Sequence, residues 1–163
     1  MNFTAIDFET ATGYRNSACA IGLVLVENGE ITDKFSAVIR PPGNEYWSRN
    51  ICVHGISPED TSNAPGFAEL FPQFRHLIEG RVLVAHNASF DKSVLKKTME
   101  HYALDYDGLN IPRWECTLKI YRTKGFKPCK LSDCCSQLDI ALNHHEALSD
   151  AVGCAHLFLR SEC

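Results

Sequence analysis

Two extended apolar runs, Ala18 to Glu27 and Ile31 to Ile39, are separated by little more than Asn28-Gly29. Asn-Gly tolerates positive φ at both positions, which is what a two-residue hairpin turn requires. The two runs must therefore fold back on each other as antiparallel neighbours, which fixes a piece of sheet early in the chain. Arg40-Pro41-Pro42-Gly43-Asn44 stops the second run, because proline cannot donate to a sheet ladder. Phe3 to Glu9 reads as a further strand ahead of the hairpin. After the prolines the apolar period changes. Phe67, Leu70, Phe71, Phe74, Leu77 and Ile78 recur at helical spacing within Pro65 to Glu79, and Gly80 closes that segment. Arg81 to His86 is a short apolar run of the kind buried strands use. Helical patterns follow at Ser89 to Tyr102, Thr117 to Tyr121, Leu131 to Leu138 and Asn143 to Leu159. A hairpin-linked sheet with helices interleaved later predicts an α/β fold with a mixed central β-sheet flanked by helices. No repeat or linker divides the 163 residues, so one domain over 1–163 is expected.

The N-terminus has no basic region followed by a long apolar run, and no apolar stretch is long enough to span a bilayer. Eight cysteines would suit a disulfide scaffold only in a secreted chain, so they are read as reduced residues of a cytoplasmic protein with no membrane partner. Cys129, Cys134, Cys135 and His144 fit no zinc-ligand spacing. The net charge of −4 argues mildly against phosphate binding. That argument weakens if the acidic residues are there for cations, which reverse the local sign of a site.

Three short acidic motifs carry the chemistry. In Asp7-Phe8-Glu9 the alternation of a strand puts Asp7 and Glu9 on one face. Alone, this triplet fits equally a surface strand with acidic residues turned to water. His86-Asn87-Ala88-Ser89-Phe90-Asp91 joins a buried strand to a helix, placing Asp91 in the first helical turn, where a carboxylate is favourable in any case. In His145-Glu146-Ala147-Leu148-Ser149-Asp150, Asn143 and Glu146 have the spacing of a capping box. The helix is then expected to start near His144, with His145 at its end and Asp150 about one turn further in.

Each motif is ordinary by itself, but their order along the chain is not. D-x-E on the first strand, H-N-A-x-F-D at a strand–helix junction and H-x-x-x-x-D on the last helix resemble the three exonuclease motifs of the DnaQ-like, or DEDDh, family, in the branch of exonuclease X-type and polymerase III epsilon-type domains. His54-Gly55-Ile56-Ser57 and Asn63-Ala64-Pro65 resemble that family's intervening loop and helix start, so the likeness covers almost the whole chain. It implies an RNase H-like exonuclease fold and a metal-dependent 3′→5′ exonuclease that releases nucleoside 5′-monophosphates. Two Mg²⁺ or Mn²⁺ ions would serve it, since hard cations want carboxylate oxygens and a pair can activate water and stabilise the leaving oxygen. By the same resemblance Asp7 bridges both ions, Glu9 and Asp150 complete the first site, Asp91 supports the second, and His145 is the general base.

Substrate contacts implied by the resemblance are Thr10 and Ala11 against the 3′-terminal nucleotide, His54 and Ile56 against its base or sugar, and Asn87 and Phe90 in the pocket wall. Tyr14, Tyr46 and Trp47 are loop aromatics that could stack on bases or tuck onto the core. A basic stretch, Arg113, Lys119, Arg122, Lys124, Lys127 and Lys130, is opposed only by Glu115 and reads either as a phosphate path or as a solvated helix face. The partner is a nucleic acid with a 3′ end. DNA, single-stranded or frayed, is favoured, and an RNase T- or oligoribonuclease-like exoribonuclease is the alternative. An inactive adaptor of the same fold would not need all five acidic and histidine positions. A polymerase or a further domain in a longer protein is a second possible partner, although Arg160-Ser161-Glu162-Cys163 leaves little tail to hold one.

Overall fold

The computed structural model describes residues 1–161; Glu162 and Cys163, half of that short tail, lie outside the described residues. Five strands form one sheet: β1 (Phe3–Thr10), β2 (Ala18–Glu27), β3 (Glu30–Val38), β4 (Leu83–Ala85) and β5 (Trp114–Cys116), in the order β3-β2-β1-β4-β5. β1, β2 and β3 pair antiparallel, while β4 and β5 run parallel to β1, so the sheet is mixed as expected. Asn28 and Gly29 adopt φ of 55° and 83°, the positive pair that the hairpin demands.

Among the described residues seven α-helices complete the fold: α1 (Ser48–His54), α2 (Pro58–Thr61), α3 (Phe67–Ile78), α4 (Ala88–His101), α5 (Thr117–Thr123), α6 (Leu131–Gln137) and α7 (Ala147–Arg160). One face of the sheet packs Ile6, Phe8, Ile21 and Leu23 against the apolar sides of α3 and α4. The other packs Phe3, Ala5, Val24 and Val26 against α5, α6 and α7. β1 is thus buried on both faces, and Asp7 and Glu9 continue the row Phe3, Ala5 that faces α7.

Several element bounds differ from expectation. The 81–86 run contributes only Leu83–Ala85 to the sheet, and α4 begins at Ala88, directly after Asn87 at φ 74°. β5, α1 and α2 are additional; three to seven residues are too few to display a period, and α1 buries none of its residues. The last helix also departs from expectation. It starts at Ala147 rather than near His144, and its N-cap is Glu146, not Asn143. The Glu146 carboxylate accepts from Leu148 N (3.2 Å) and Ser149 N (2.9 Å), while Asn143 N donates to Ser149 Oγ (2.7 Å). His145, at φ 67°, breaks the helical path just ahead of that cap.

α7 crosses the sheet at one glycine. Gly22 pairs with Asp7 in the β1–β2 ladder. A Cβ built on Gly22 would lie 2.3 Å from the Ala147 carbonyl oxygen and 2.6 Å from Leu148 Cα. Those are backbone atoms of the first turn of α7, so a side chain there can only be accommodated by moving the helix. We expect Gly22→Ala to destabilise the protein by about 1–3 kcal/mol, as overpacked interiors do, which lowers Tm by roughly 2–4 °C per kcal/mol in a chain of this size. Thermal melting checks this; an unchanged Tm would show that α7 is free to slide.

Candidate active site

One oxygen each from Asp7, Glu9 and Asp150 can be chosen so that all three lie within 4.8 Å of one another. Two come from the end of β1 and one from the first turn of α7, held together by the close approach at Gly22. Asp91 joins from the first turn of α4. The β1–β4 ladder has Thr4 N donating to Val82 O, and its register ends at Ala5–Val84. Two pleats further along the same edge Phe8 N has no strand to meet, and it donates to Asp91 Oδ1 at 3.0 Å. A buried amide that would otherwise be orphaned thus anchors the fourth carboxylate.

Asp7, Glu9 and Asp91 are expensive to ionise. Burial, then repulsion from Asp91, Glu9, Asp150 and Glu146, raises Asp7 well above the carboxylate range. Burial followed by Asp150 raises Glu9 to about 8. Burial raises Asp91 to about 8 as well, against the opposing hydrogen bond from Phe8 N. Among the described residues no lysine or arginine forms an ion pair with any of the four.

His144 and His145 stack at the mouth of the site, ring centroids 3.7 Å apart. His144 Nδ1 donates to both Asp150 oxygens, at 3.1 and 3.0 Å, and the His145 backbone N–H donates to Asp150 Oδ2 at 3.1 Å. A ring nitrogen of His145 still falls within 4.8 Å of His144 and Asp150 ligand atoms. Burial first and His144 second lower the His145 pKa below 6.5, so its ring is neutral at pH 7. His144 was not among the residues singled out for this site, yet it makes the direct side-chain contact to Asp150; only its adjacency to His145 signals it in the sequence.

Asp7, Glu9 and Asp150 open onto a cleft of about 720 Å³ lined also by Val53, His86, Phe90, Arg122, Phe126, Lys127, Lys130 and both stacked histidines, while Asp91 is buried behind them and does not line it. A smaller recess of about 320 Å³ adjoins it at Glu9, bounded by Thr10, Arg49, Asn50, Val53, His54 and Phe90. Thr10, His54 and Phe90 therefore stand where a bound group next to Glu9 would meet them. His54, however, spends both ring nitrogens internally: Nε2 donates to Thr10 O (3.1 Å) and Nδ1 accepts from Ile56 N (3.0 Å). Only its ring face is left to touch a ligand. Ile56 lines a separate groove with Val38 and His145. Ala11 does not reach the recess; it is fully buried, and its N–H and C=O are taken by Ser17 O and Trp47 N. Asn87 is exposed beside the cleft rather than in its wall, accepting from Ser89 Oγ. Tyr14, 64% exposed, makes an edge contact with Trp47, on which Arg49 stacks, and Tyr46 bonds Thr61, so none of these three aromatics lines the cleft. Sequence reasoning missed Asn50, whose Nδ2 ties down Thr10 O and Thr12 O while its buried Oδ1 has no partner. It also missed Gly22, an isolated glycine in a strand and a recognised sign of close backbone approach.

The RNase_T exonuclease model matches residues 4–158 of the 161 described. The chain belongs to the DnaQ-like exonuclease family, with its RNase H-like fold. As a family member it is a nuclease. Among curated proteins, this exonuclease is 30% identical to the DNA polymerase III PolC-type of Caldanaerobacter subterraneus subsp. tengcongensis and 31% identical to that of Bacillus subtilis strain 168, each over 97% of its length. It spans 11% of the length of those two relatives. Among solved structures, the fold is similar to Exonuclease X in complex with 5′ overhanging duplex DNA (TM-score 0.75, 24% identity, 98% of this chain and 90% of that one). It is likewise similar to the nuclease domain of 3′hExo, a DEDDh family member bound to rAMP (TM-score 0.78, 20% identity, 98% and 90%).

The raised carboxylates of this exonuclease give a pH prediction. Unfolded, Asp and Glu ionise near their model values of 3.8 and 4.5; folded, Glu9 and Asp91 hold their protons to about 8. Between those limits the native state binds more protons, so its stability is fully present below about pH 4 and lost as pH rises toward 8. In chelator, Tm should therefore fall from pH 5.5 to pH 8 as far as these groups contribute, and Asp7→Asn should flatten the fall and raise Tm at pH 8. A mutant that melts in parallel with wild type across that range would show that repulsion at Asp7 is not felt.

Proposed function

We propose that this protein is a metal-dependent 3′→5′ exonuclease that hydrolyses nucleic-acid phosphodiesters from the 3′ end to nucleoside 5′-monophosphates, with DNA as the preferred substrate. The observation that carries the reading is the convergence of Asp7, Glu9 and Asp150 oxygens within 4.8 Å, Asp7 half-buried and the other two buried, with no lysine or arginine partner among the described residues. Such a cluster is unfavourable by itself, and a donor set made of carboxylates with room in front of it fits a hard divalent cation. Asp7, Glu9 and Asp150 would hold one ion, with Asp91 supporting a second beside Asp7. Two Mg²⁺ or Mn²⁺ ions, when bound, supply the positive charge that activates water and stabilises the leaving oxygen.

The remaining work falls to the chain. His145, neutral at pH 7 and at the mouth of the site, takes the proton of the attacking water. His144 fixes Asp150 and stacks beneath the His145 ring, so it is a positioning residue. The recess at Glu9 accepts the terminal nucleoside, with Phe90 and the face of His54 as its walls. Phe90 is itself backed by the Arg15 guanidinium, 4.4 Å from its ring centroid. Preference for DNA is supported by the PolC-type relatives, which are DNA polymerases by name, and the likeness to them also makes a polymerase context part of this reading.

Digestion of 5′-labelled single-stranded DNA, duplex DNA and RNA tests the proposal. A ladder shortening from the 3′ end, present with Mg²⁺ and absent with chelator, is expected, fastest on DNA. Ladder formation in excess chelator would overturn the metal requirement. Replacing His145 by Ala should lower the single-turnover rate by about 10²–10⁴-fold with little change in substrate affinity. If the mutant keeps the wild-type rate and pH dependence, the base is another group, His144 being next in line.

A further inference from the structure

The cleft in front of Asp7, Glu9 and Asp150 has a second wall that the hydrolytic reading leaves unused. It is built from the end of α5, the turn after it and the start of α6, and it presents Arg122, Lys127 and Lys130 to the cavity. All three side chains are exposed, and among the described residues none forms an ion pair. The other basic residues of the same stretch differ. Arg113 is paired with Glu115 at 2.7 Å, and Arg113, Lys119 and Lys124 do not line the cleft. Half of the basic stretch thus converges on one cavity and half is turned away from it.

This wall is also fixed in place. His86 Nε2 donates to the Cys129 carbonyl at 3.1 Å, tying the turn to the residue next to Asn87. Phe126 packs edge-on against buried Tyr121, centroids 4.9 Å apart. Lys130 N donates to Asp133 Oδ2, closing the start of α6. Three unpaired cations on an anchored rim beside an acidic centre, in a chain whose net charge is −4, call for a polyanion that spans both. The recess that adjoins the cleft at Glu9 is less than half as large, and Arg49 in its lining is stacked on Trp47.

We infer that Arg122, Lys127 and Lys130 form the track for the single strand lying on the 5′ side of the scissile bond, contacting its phosphates while Phe126 and Pro128 support sugars and bases. The inference rests on the proposed exonuclease reading and deepens it: the enzyme acts on strands several nucleotides long in preference to dinucleotides. Each phosphate neutralised on a single strand contributes roughly 0.7 to the slope of log affinity against log salt concentration.

The test uses the full chain with Mg²⁺ and a fluorescent single-stranded DNA of about a dozen nucleotides, its linkages made phosphorothioate against cleavage; anisotropy is followed from roughly 50 to 200 mM salt, the range over which phosphate contacts are felt. The combined variant Arg122→Gln, Lys127→Gln, Lys130→Gln should bind at least about tenfold more weakly at the lowest salt, with a slope smaller by about 2, as three lost contacts require. Its kcat/KM ratio for a long strand over a dinucleotide should fall by a similar factor. The control Arg113→Gln, Lys119→Gln, Lys124→Gln removes the same charge outside the cleft and should retain the wild-type slope. The inference is overturned if the cleft variant keeps the wild-type slope, if the control loses as much as the cleft variant, or if long and dinucleotide substrates suffer equally. A wild-type protein that binds the strand with this slope but cuts nothing would sink the exonuclease reading and leave the track standing.

Discussion

Asp7, Glu9, Asp91 and Asp150 repel one another, and every element that carries them is held against that repulsion by something else. Two carboxylates about 4–5 Å apart at an effective dielectric near 20 oppose each other by roughly 3–4 kcal/mol when both are ionised. The same strand that carries Asp7 and Glu9 buries Phe3, Ile6 and Phe8, each contributing about 1.5–3 kcal/mol. β1 is clamped from both faces of the sheet, so it cannot move to relieve the acids. Asp91 is retained because Phe8 N needs an acceptor, and Asp150 because the first turn of α7 lies directly on Gly22. Asp7, Glu9 and Asp91 respond in the one way left to them, by holding protons to higher pH.

That arrangement explains the distribution of polar bonding around the site. Where the backbone runs out of ladder, side chains of the site complete it: Asp91 at Phe8 N, and Asn50 and His54 at the Thr10 carbonyl. The ladder itself slips between Glu9 and Thr10, leaving Cys19 between the residues that pair with them, and its carbonyl is taken by Ile39 N. Such a bulge beside a site turns the strand end aside. The recess at Glu9 lies at that end, between β1 and α1.

Much of this was legible in the sequence. Asn28-Gly29 fixed the hairpin, and the bounds of β2 match the apolar run residue for residue. The alternation of Phe3 to Glu9 put Asp7 and Glu9 on one face, and the order of the three acidic motifs pointed to the family. What was not legible depended on which of several partners, near or distant in the chain, each group takes. Asn143 and Glu146 have capping-box spacing, but Asn143 is engaged by Ser149 Oγ and Glu146 caps the helix with its own carboxylate, a choice spacing does not reveal. Its position after Glu9 makes Ala11 an expected substrate contact, yet its backbone is consumed by Ser17 and Trp47. The isolated Gly22 announces a close approach without saying that α7 is what approaches. The basic stretch could not be divided between cleft and solvent until α5 and α6 were placed.

The central claim is that the buried acids are held together for divalent cations. Titration calorimetry with Mn²⁺ at pH 7, in buffers of different ionisation enthalpy, counts the protons expelled when a cation binds. Because Glu9 and Asp91 hold protons to about 8, the account predicts saturable binding with a net release of protons at pH 7 that disappears above pH 9. Saturable binding with no proton release at either pH, or no binding at all, would contradict it.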